Sequence, residues 1–274
     1  MKILIVTHDK YHYKNRKRRM RWSWLPYYFD KLGHKIEYVT KPKWLYYPLI
    51  YLKFKPDIVI GIGKTGALIT ALHHKLHPKA KFVFDLNDHP AFYKNIDFLI
   101  KNHDVITTPS NYYYKKYKCN AWIMNGSNFR PLKDKTEYDV IYIGQTHSIY
   151  NIDRIKEECE KNSIKLKIIS DLPTDEVPNY IAKARLCLYP ISWDASAKMT
   201  DYAAMAKAII ALKPNLAEDI DYPAHYSEDL IKGIKYLLKN TNQIKELEKQ
   251  SLIWFKKYSG TWKEQAEKYI QILE

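Results

Sequence analysis

The sequence predicts an α/β protein built from two doubly wound parallel sheets with a cleft between them. Short β-branched apolar runs alternate with helical stretches along the chain, the pattern of stacked strand–helix–strand units. The series pauses once, at the polar stretch 133–137, and then restarts. With 274 residues, 46% of them hydrophobic, the chain can build one large domain or two small ones.

Taken in order, residues 3–6 read as a buried strand and 24–32 as a helix closed by Gly33, a C-cap position. Residues 35–40 alternate as a strand. Asp57-Ile-Val-Ile-Gly61, entered through Lys55-Pro56, is the next, and a helix follows over 66–76. Strands over 81–86 and 105–108, a helix over 111–117 and a strand over 122–124 complete the first series, which ends in the turn signal Asn125-Gly126. The second series opens with a strand over 138–143, stopped by Gly144. Helices over 153–162, 177–184 and 198–205 alternate with strands over 166–169, 186–189 and 208–212. From Asp229 the chain reads as helical to its end. Ligands of such sheets sit at the carboxyl ends of strands, so the loops after Val6, Ile143 and Tyr189 are where a site belongs.

Composition narrows the partners. There are 45 Lys and Arg against 30 Asp and Glu, a net charge of +15. Residues 1–134 hold 25 basic and 9 acidic residues, and residues 135–274 hold 20 and 21. The excess therefore belongs to the first half, which points to an anionic partner there: phosphate, lipid headgroups or nucleic acid. Disordered and low-complexity classes are excluded by the apolar content. The three cysteines, Cys119, Cys159 and Cys187, are far apart with no CxxC, which argues against a disulfide scaffold or thiolate zinc site and fits a reducing compartment. The N-terminal apolar run is too short for a signal peptide, and residues 44–52 fall well short of the roughly 20 a spanning helix needs. A cytoplasmic protein, or one resting on the inner membrane face, is expected.

Five segments carry candidate chemistry. Gly61-Ile-Gly-Lys-Thr-Gly66 follows a strand and opens a helix, a dinucleotide fingerprint with Asp85 as its acidic partner, or simply a tight strand-to-helix turn. His73 and His77 share a helix face, but the glutamate of a zinc-protease motif is replaced by His74, so a partly solvated face competes with a metal site. The arm 10–21 contains Lys14, Arg16, Lys17, Arg18, Arg19 and Arg21, interleaved with Tyr11, Tyr13, Trp22 and Trp24. It reads as a grip for phosphates or lipid headgroups, or as a solvated charge run. Trp44, Tyr46, Tyr47 and Tyr51 lie in the same half and could share that interface. Asp85-Leu-Asn-Asp88-His89-Pro90 ends a strand with two carboxylates and an imidazole, placed for acid–base or orienting work or for turn capping. The stretch 189–211 is strand, loop, helix and strand. Ser196 is an N-cap candidate, and a helix N-terminus with Lys198 beside it suits a diphosphate. Asp201, about one turn on, is placed to accept from sugar hydroxyls.

That last stretch resembles the donor motif of retaining glycosyltransferases of the GT-B fold (glycosyl transferases group 1 type), in which Lys, two residues and Glu-Tyr precede a small-residue turn and a strand. Lys198, Asp201 and Tyr202 match, with Asp for Glu. Other segments match in order. Lys31-Leu-Gly-His-Lys-Ile-Glu37 is similar to the family's L-x-x-x-G-H-x-V, Lys55-Pro-Asp-Ile-Val-Ile60 to its KPDVVH strand, and Asp104-Val-Ile-Thr-Thr-Pro-Ser110 to ADVVITVS. Asn125-Gly126 with Phe129 and Pro131 is similar to the interdomain link, Tyr142-Ile-Gly144 to the opening of the second domain, and Tyr258-Ser-Gly-Thr-Trp262 to the segment before the last helix. There are departures. The first glutamate of the family's pair falls at Trp193, with Asp194 the nearest acid. The diphosphate-gripping Arg/Lys pair after Gly144 is replaced by Gln145-Thr-His-Ser, and the glycine-rich first loop by the basic arm. The whole chain has only 8 glycines.

The resemblance implies a domain of residues 1–132 for the acceptor, one of 133–257 for the nucleotide-sugar, and a terminal helix, 258–274, crossing back to the first. It implies sugar transfer, retaining and without a metal or other cofactor, from a UDP- or GDP-linked donor. Gly144, Gln145, Thr146, Ser196 and Lys198 would meet the diphosphate, Asp201 and Tyr202 the ribose side, Ser170 and Asp171 the base, and Asp194 the transferred sugar. Asp88 and His89 would face an anionic lipid, phosphorylated or glycan acceptor, with nucleic acid ranked behind these. A non-catalytic module of this fold, binding nucleic acid or anionic membrane through the arm, is the alternative.

Overall fold

The computed structural model describes residues 1–7, 21–40, 43–88, 93, 95–144, 146, 151–170 and 172–274. Contacts divide them into two units: residues 1–124 with Trp262–Glu274, and Asn125–Thr261.

In the first unit the chain runs β1 (Lys2–Val6), α1 (Arg21–Lys31), β2 (Lys35–Val39), α2 (Tyr47–Phe54), β3 (Ile58–Ile62) and α3 (Gly63–His73). It continues through β4 (Lys81–Asp85), α4 (Ile96–Lys101), β5 (Val105–Thr108), α5 (Asn111–Tyr117) and β6 (Ala121–Trp122). The sheet is parallel throughout, ordered β2-β1-β3-β4-β5-β6, with Ile3 opposite both Ile36 and Ile58. Strand β1 shows why it needs cover on both faces. Ile3 and Ile5 point into a cluster with Trp22, Leu25 and Phe29, whereas Leu4 and Val6 point into another with Tyr47, Val59 and Phe82. The last helix, Trp262–Leu273 (α11), belongs to this unit. Its Trp262, Ala266, Tyr269, Ile270 and Leu273 recur at helical spacing and enter the first cluster. The Lys81 ammonium donates to the Leu273 carbonyl at its far end.

The second unit runs β7 (Tyr138–Ile143), α6 (Ile152–Lys161), β8 (Leu166–Ile169), α7 (Val177–Ala182), β9 (Ala184–Tyr189) and α8 (Ala197–Ala204). Then come β10 (Ala208–Leu212), β11 (His225–Ser227), α9 (Leu230–Lys239), α10 (Thr241–Trp254) and a π turn over Phe255–Ser259. The parallel order is β11-β10-β9-β7-β8. The core packs Val140 and Tyr142 of β7 with Leu186, Leu188 and Ile210 under α6, α9 and α10.

Several elements depart from expectation. α2, α4 and β11 form where the sequence carries no regular pattern. Pro48 lies in the first turn of α2, where its missing N–H does no harm. The C-terminal helical run is three helices, broken at Asn240 and at Gly260, whose φ is +81°. The units divide at Met124/Asn125 and Thr261/Trp262, and not at 132 and 257. The reason is local. The Asn125 amide donates to the Ala195 carbonyl at 2.7 Å, Thr200 Oγ1 donates to the Gly126 carbonyl at 3.3 Å, and Ser127 Oγ to Asp201 at 2.6 Å, so the linking stretch is fastened to α8. All three cysteines are buried free thiols. No helix among the described residues is long and apolar enough to cross a membrane.

Candidate functional site

In the second unit, β7 and β9 lie side by side, and α8 begins just beyond the carboxyl end of β9. The loop between β9 and α8 is held from several sides. The Tyr189 hydroxyl donates to the Trp193 carbonyl, Asn215 Nδ2 to the Ile191 carbonyl at 2.8 Å, and the Leu216 N–H to the Ser192 carbonyl at 3.3 Å. Ser196 takes the extended N-cap backbone (φ −77°, ψ 132°), yet its hydroxyl makes no capping bond. The first-turn amides of α8 thus lack the side-chain acceptor that normally satisfies them.

Lys198 folds back over the end of β7. Its Nζ donates to Tyr142 Oη at 3.0 Å and lies 4.3 Å from the centre of that ring. Desolvation pulls its pKa down to about 7. Gly144, with φ +135°, ends β7 directly beneath: a Cβ there would collide with the Lys198 ammonium. The backbone angle calls for glycine, and any larger residue would also displace the Lys198 ammonium. Asp201, one turn along, is half-buried, and burial pushes its pKa up to about 7 against the hydrogen bond from Ser127, which favours the carboxylate. Tyr202 is fully buried, and its hydroxyl accepts the Ile143 N–H at 3.0 Å, tying α8 to β7. The site is therefore a desolvated cation and a desolvated carboxyl on one short helix, above a glycine at a strand end. Perturbed titratable groups so gathered mark functional sites.

Three residues sit otherwise than the sequence suggested. Asp194 is 0% exposed, so its carboxylate has no open side for a sugar. Tyr202 braces the motif and does not face a ligand. Arg21 is not part of a phosphate grip: it opens α1, is 4% exposed, and pairs with Asp85 at 3.0 Å while donating to the Ile123 and Met124 carbonyls at 2.9 and 3.1 Å. Asp85 also accepts from Thr107 Oγ1 at 2.9 Å and from Tyr269 Oη of α11 at 3.3 Å. This arrangement overturns the dinucleotide reading of Gly61–Gly66. The acid it needs is enclosed, and the glycines serve packing, since a Cβ on Gly66 would strike the Val6 carbonyl and one on Gly61 would strike Thr70. His73 packs at a tilt against Tyr47, and His77 stacks on Tyr51, at 4.6 and 3.7 Å between ring centres. Among the described residues no group of three His, Cys, Asp or Glu could hold a metal.

No protein-family model and no curated protein matches the chain. Solved structures do. Sucrose-phosphate synthase from Thermosynechococcus elongatus superposes with a TM-score of 0.74 at 9% identity, over 99% of this chain and 98% of that one. HepE from Anabaena, in complex with UDP-glucose, gives 0.68 at 10%, over 99% of each chain. An α-glucosyltransferase in complex with UDP and a 13-mer DNA gives 0.64 at 10%, over 100% and 99%. The fold is GT-B. At these identities the likeness speaks for the fold alone.

On this GT-B scaffold the structure gathers Gly144, Lys198 and Asp201, with Ser196 at the helix start. Thr146 and Ser170 are exposed in the loops after β7 and β8. Asp88 is exposed after β4, where a Cβ on Gly63 would lie 3.5 Å from its Oδ2. Gln145, Asp171, His89 and the arm residues Lys14, Arg16, Lys17, Arg18 and Arg19 lie outside the described residues. Sequence reasoning missed Tyr142 and Ser127 as members of the site. Tyr142 reads as an ordinary strand residue, and Ser127 was visible only as the position after the Asn125-Gly126 turn.

Proposed function

We propose that the protein transfers a sugar from a nucleotide-sugar to an acceptor, with the donor held by the second unit. The observation that carries this reading is Lys198, a desolvated ammonium set against Gly144 at a helix start whose Ser196 hydroxyl makes no capping bond. A diphosphate brings the negative charge and the acceptor oxygens that an ammonium and a helix N-terminus bind. The GT-B neighbours solved with UDP or UDP-glucose support it.

In the reaction the bond between the anomeric carbon and the diphosphate breaks, and a bond from that carbon to an acceptor oxygen forms. The nucleoside diphosphate leaves with the bonding pair, and the acceptor's proton passes to a phosphate oxygen of that leaving group. Lys198 and the first-turn amides of α8 stabilise the charge that builds on the departing phosphate, the kind of contribution that dominates such catalysis. Asp201 accepts from the ribose hydroxyls, and Asp88 and His89 serve the acceptor. Transfer is retaining and needs no metal, as the resemblance implies, because Lys198 and the helix end supply the positive charge. The donor is UDP- or GDP-linked. The acceptor is anionic, a lipid, a phosphorylated compound or a glycan, drawn by the basic first half and the arm 14–19. The protein works in the cytoplasm, at the inner membrane face.

The test is a panel of nucleotide-sugars scored by melting temperature and by release of nucleoside diphosphate, with lipid, glycan and duplex DNA acceptors. A UDP- or GDP-sugar is expected to stabilise the protein and be consumed. If none does either while a polyanion raises the melting temperature, the chain is a non-catalytic GT-B module.

A further inference from the structure

We propose that helices α2 and α3 form a bilayer-docking face that inserts leucine side chains into an anionic membrane, which extends the membrane part of the reading above. The two helices lie side by side through the Tyr47–His73 and Tyr51–His77 ring contacts. The inner faces are accounted for: Tyr47 and Tyr51 are buried against the sheet, as are Ala67 and Ala71 of α3. The outer faces are aliphatic and uncovered. Leu45, Leu49 and Leu52 follow at i, i+4 and i+7 and are 89%, 65% and 61% exposed. On α3 and its 3-10 extension, Leu72 and Leu76 are 60% and 68% exposed. Scattered apolar residues are ordinary on a surface, but large ones at helical spacing on two adjacent helices are not.

Charge identifies the occupant. Lys43, Lys53, Lys55, Lys64, Lys75 and Lys79 are all exposed along the same segment, and none forms an ion pair among the described residues. From residue 43 to 84 the sequence holds a single carboxylate, Asp57, and it accepts the Lys2 N–H at 2.7 Å. Aliphatic tips rimmed by ammonium groups match the boundary between acyl chains and anionic headgroups. Half-exposed Trp44 and exposed Tyr46, at the start of α2, have the aromatic character favoured at that depth. Between Leu45 and Leu52 the one exposed polar side-chain group is the Tyr46 hydroxyl, and no charged side chain interrupts the row.

Flotation with phosphatidylcholine vesicles, with and without about 30 mol% phosphatidylglycerol, tests the proposal. The protein should float with anionic vesicles and much less with neutral ones. The triple variant Leu45→Ser, Leu49→Ser, Leu52→Ser should lose binding by roughly tenfold or more. The thermal shift given by UDP-glucose, read on the second unit, should stay as in the parent and also reports that the variant is folded. Flotation of the triple variant equal to the parent's overturns the proposal, as does a parent that floats with neither vesicle. So does a parent that self-associates through these leucines in sedimentation while ignoring vesicles. Loss of the UDP-glucose shift in the parent would instead count against glycosyl transfer and leave the docking result standing.

Discussion

Lys198 and Asp201 stand three residues apart, and both are held near pH 7 by burial, from opposite sides. Each shift makes a stability prediction. Asp201 has a higher pKa folded than unfolded, so the native state binds the extra proton between about pH 4 and 7, and stability falls as pH rises through that window. Asp201→Asn should therefore raise the melting temperature at pH 8 and leave it nearly unchanged at pH 4, as thermal unfolding at the two pH values will tell. Lys198 is the mirror case. Its folded pKa lies below the unfolded one, so its penalty is fully present below pH 7 and is relieved between about pH 7 and 10. Lys198→Met should stabilise the protein at pH 6 and progressively less toward pH 10. A stabilising change that costs ligand binding is the mark of a functional group kept against the fold's interest. The spacing of Lys198, Asp201 and Tyr202 was legible because it lies within one helix. Ser127 was not, because it meets Asp201 from 74 residues away, and no local pattern encodes such a contact.

At the scale of elements, strands were the most readable. Their apolar runs are buried on both faces, so composition and position agree, and the bounds of β5, β7, β8 and β10 match the sequence reading. α2 was hidden by a proline and by tyrosines and isoleucine that favour strands. β11 has three residues, too few for any periodicity. The pairing of Arg21 with Asp85 was out of reach for another reason: nothing in a run of basic residues says which one turns inward. That pair makes its own prediction. Asp85→Ala leaves the guanidinium buried beside only carbonyls and hydroxyls, and should destabilise the first unit by about 3–5 kcal/mol in denaturant unfolding. Tyr269→Phe, which removes only a shared hydroxyl, should cost about 1 kcal/mol. In the second unit, Gly144→Ala forces a side chain into a φ of +135° and into the Lys198 ammonium. It should cost about 1–3 kcal/mol and weaken donor binding together with stability.

For the whole molecule, the sequence divides its labour by charge and the structure divides it by contacts, and the two divisions nearly coincide. The basic excess lies before residue 134, and the first unit ends its main run at Met124. The near-neutral remainder, apart from α11, forms the second unit, where the perturbed lysine and aspartate are found. On the proposed function, the site at the start of α8 binds the diphosphate of a nucleotide-sugar through Lys198. Titration calorimetry of the full chain with UDP-glucose and with GDP-linked sugars at pH 6.5, comparing the parent with Lys198→Met, tests it most directly. The parent should bind a nucleotide-sugar. The variant, folded by its melting curve, should bind it roughly ten to a hundred times more weakly, the loss of one charge-assisted hydrogen bond of about 1.5–3 kcal/mol. Equal affinity in the two proteins would rule out this role for Lys198.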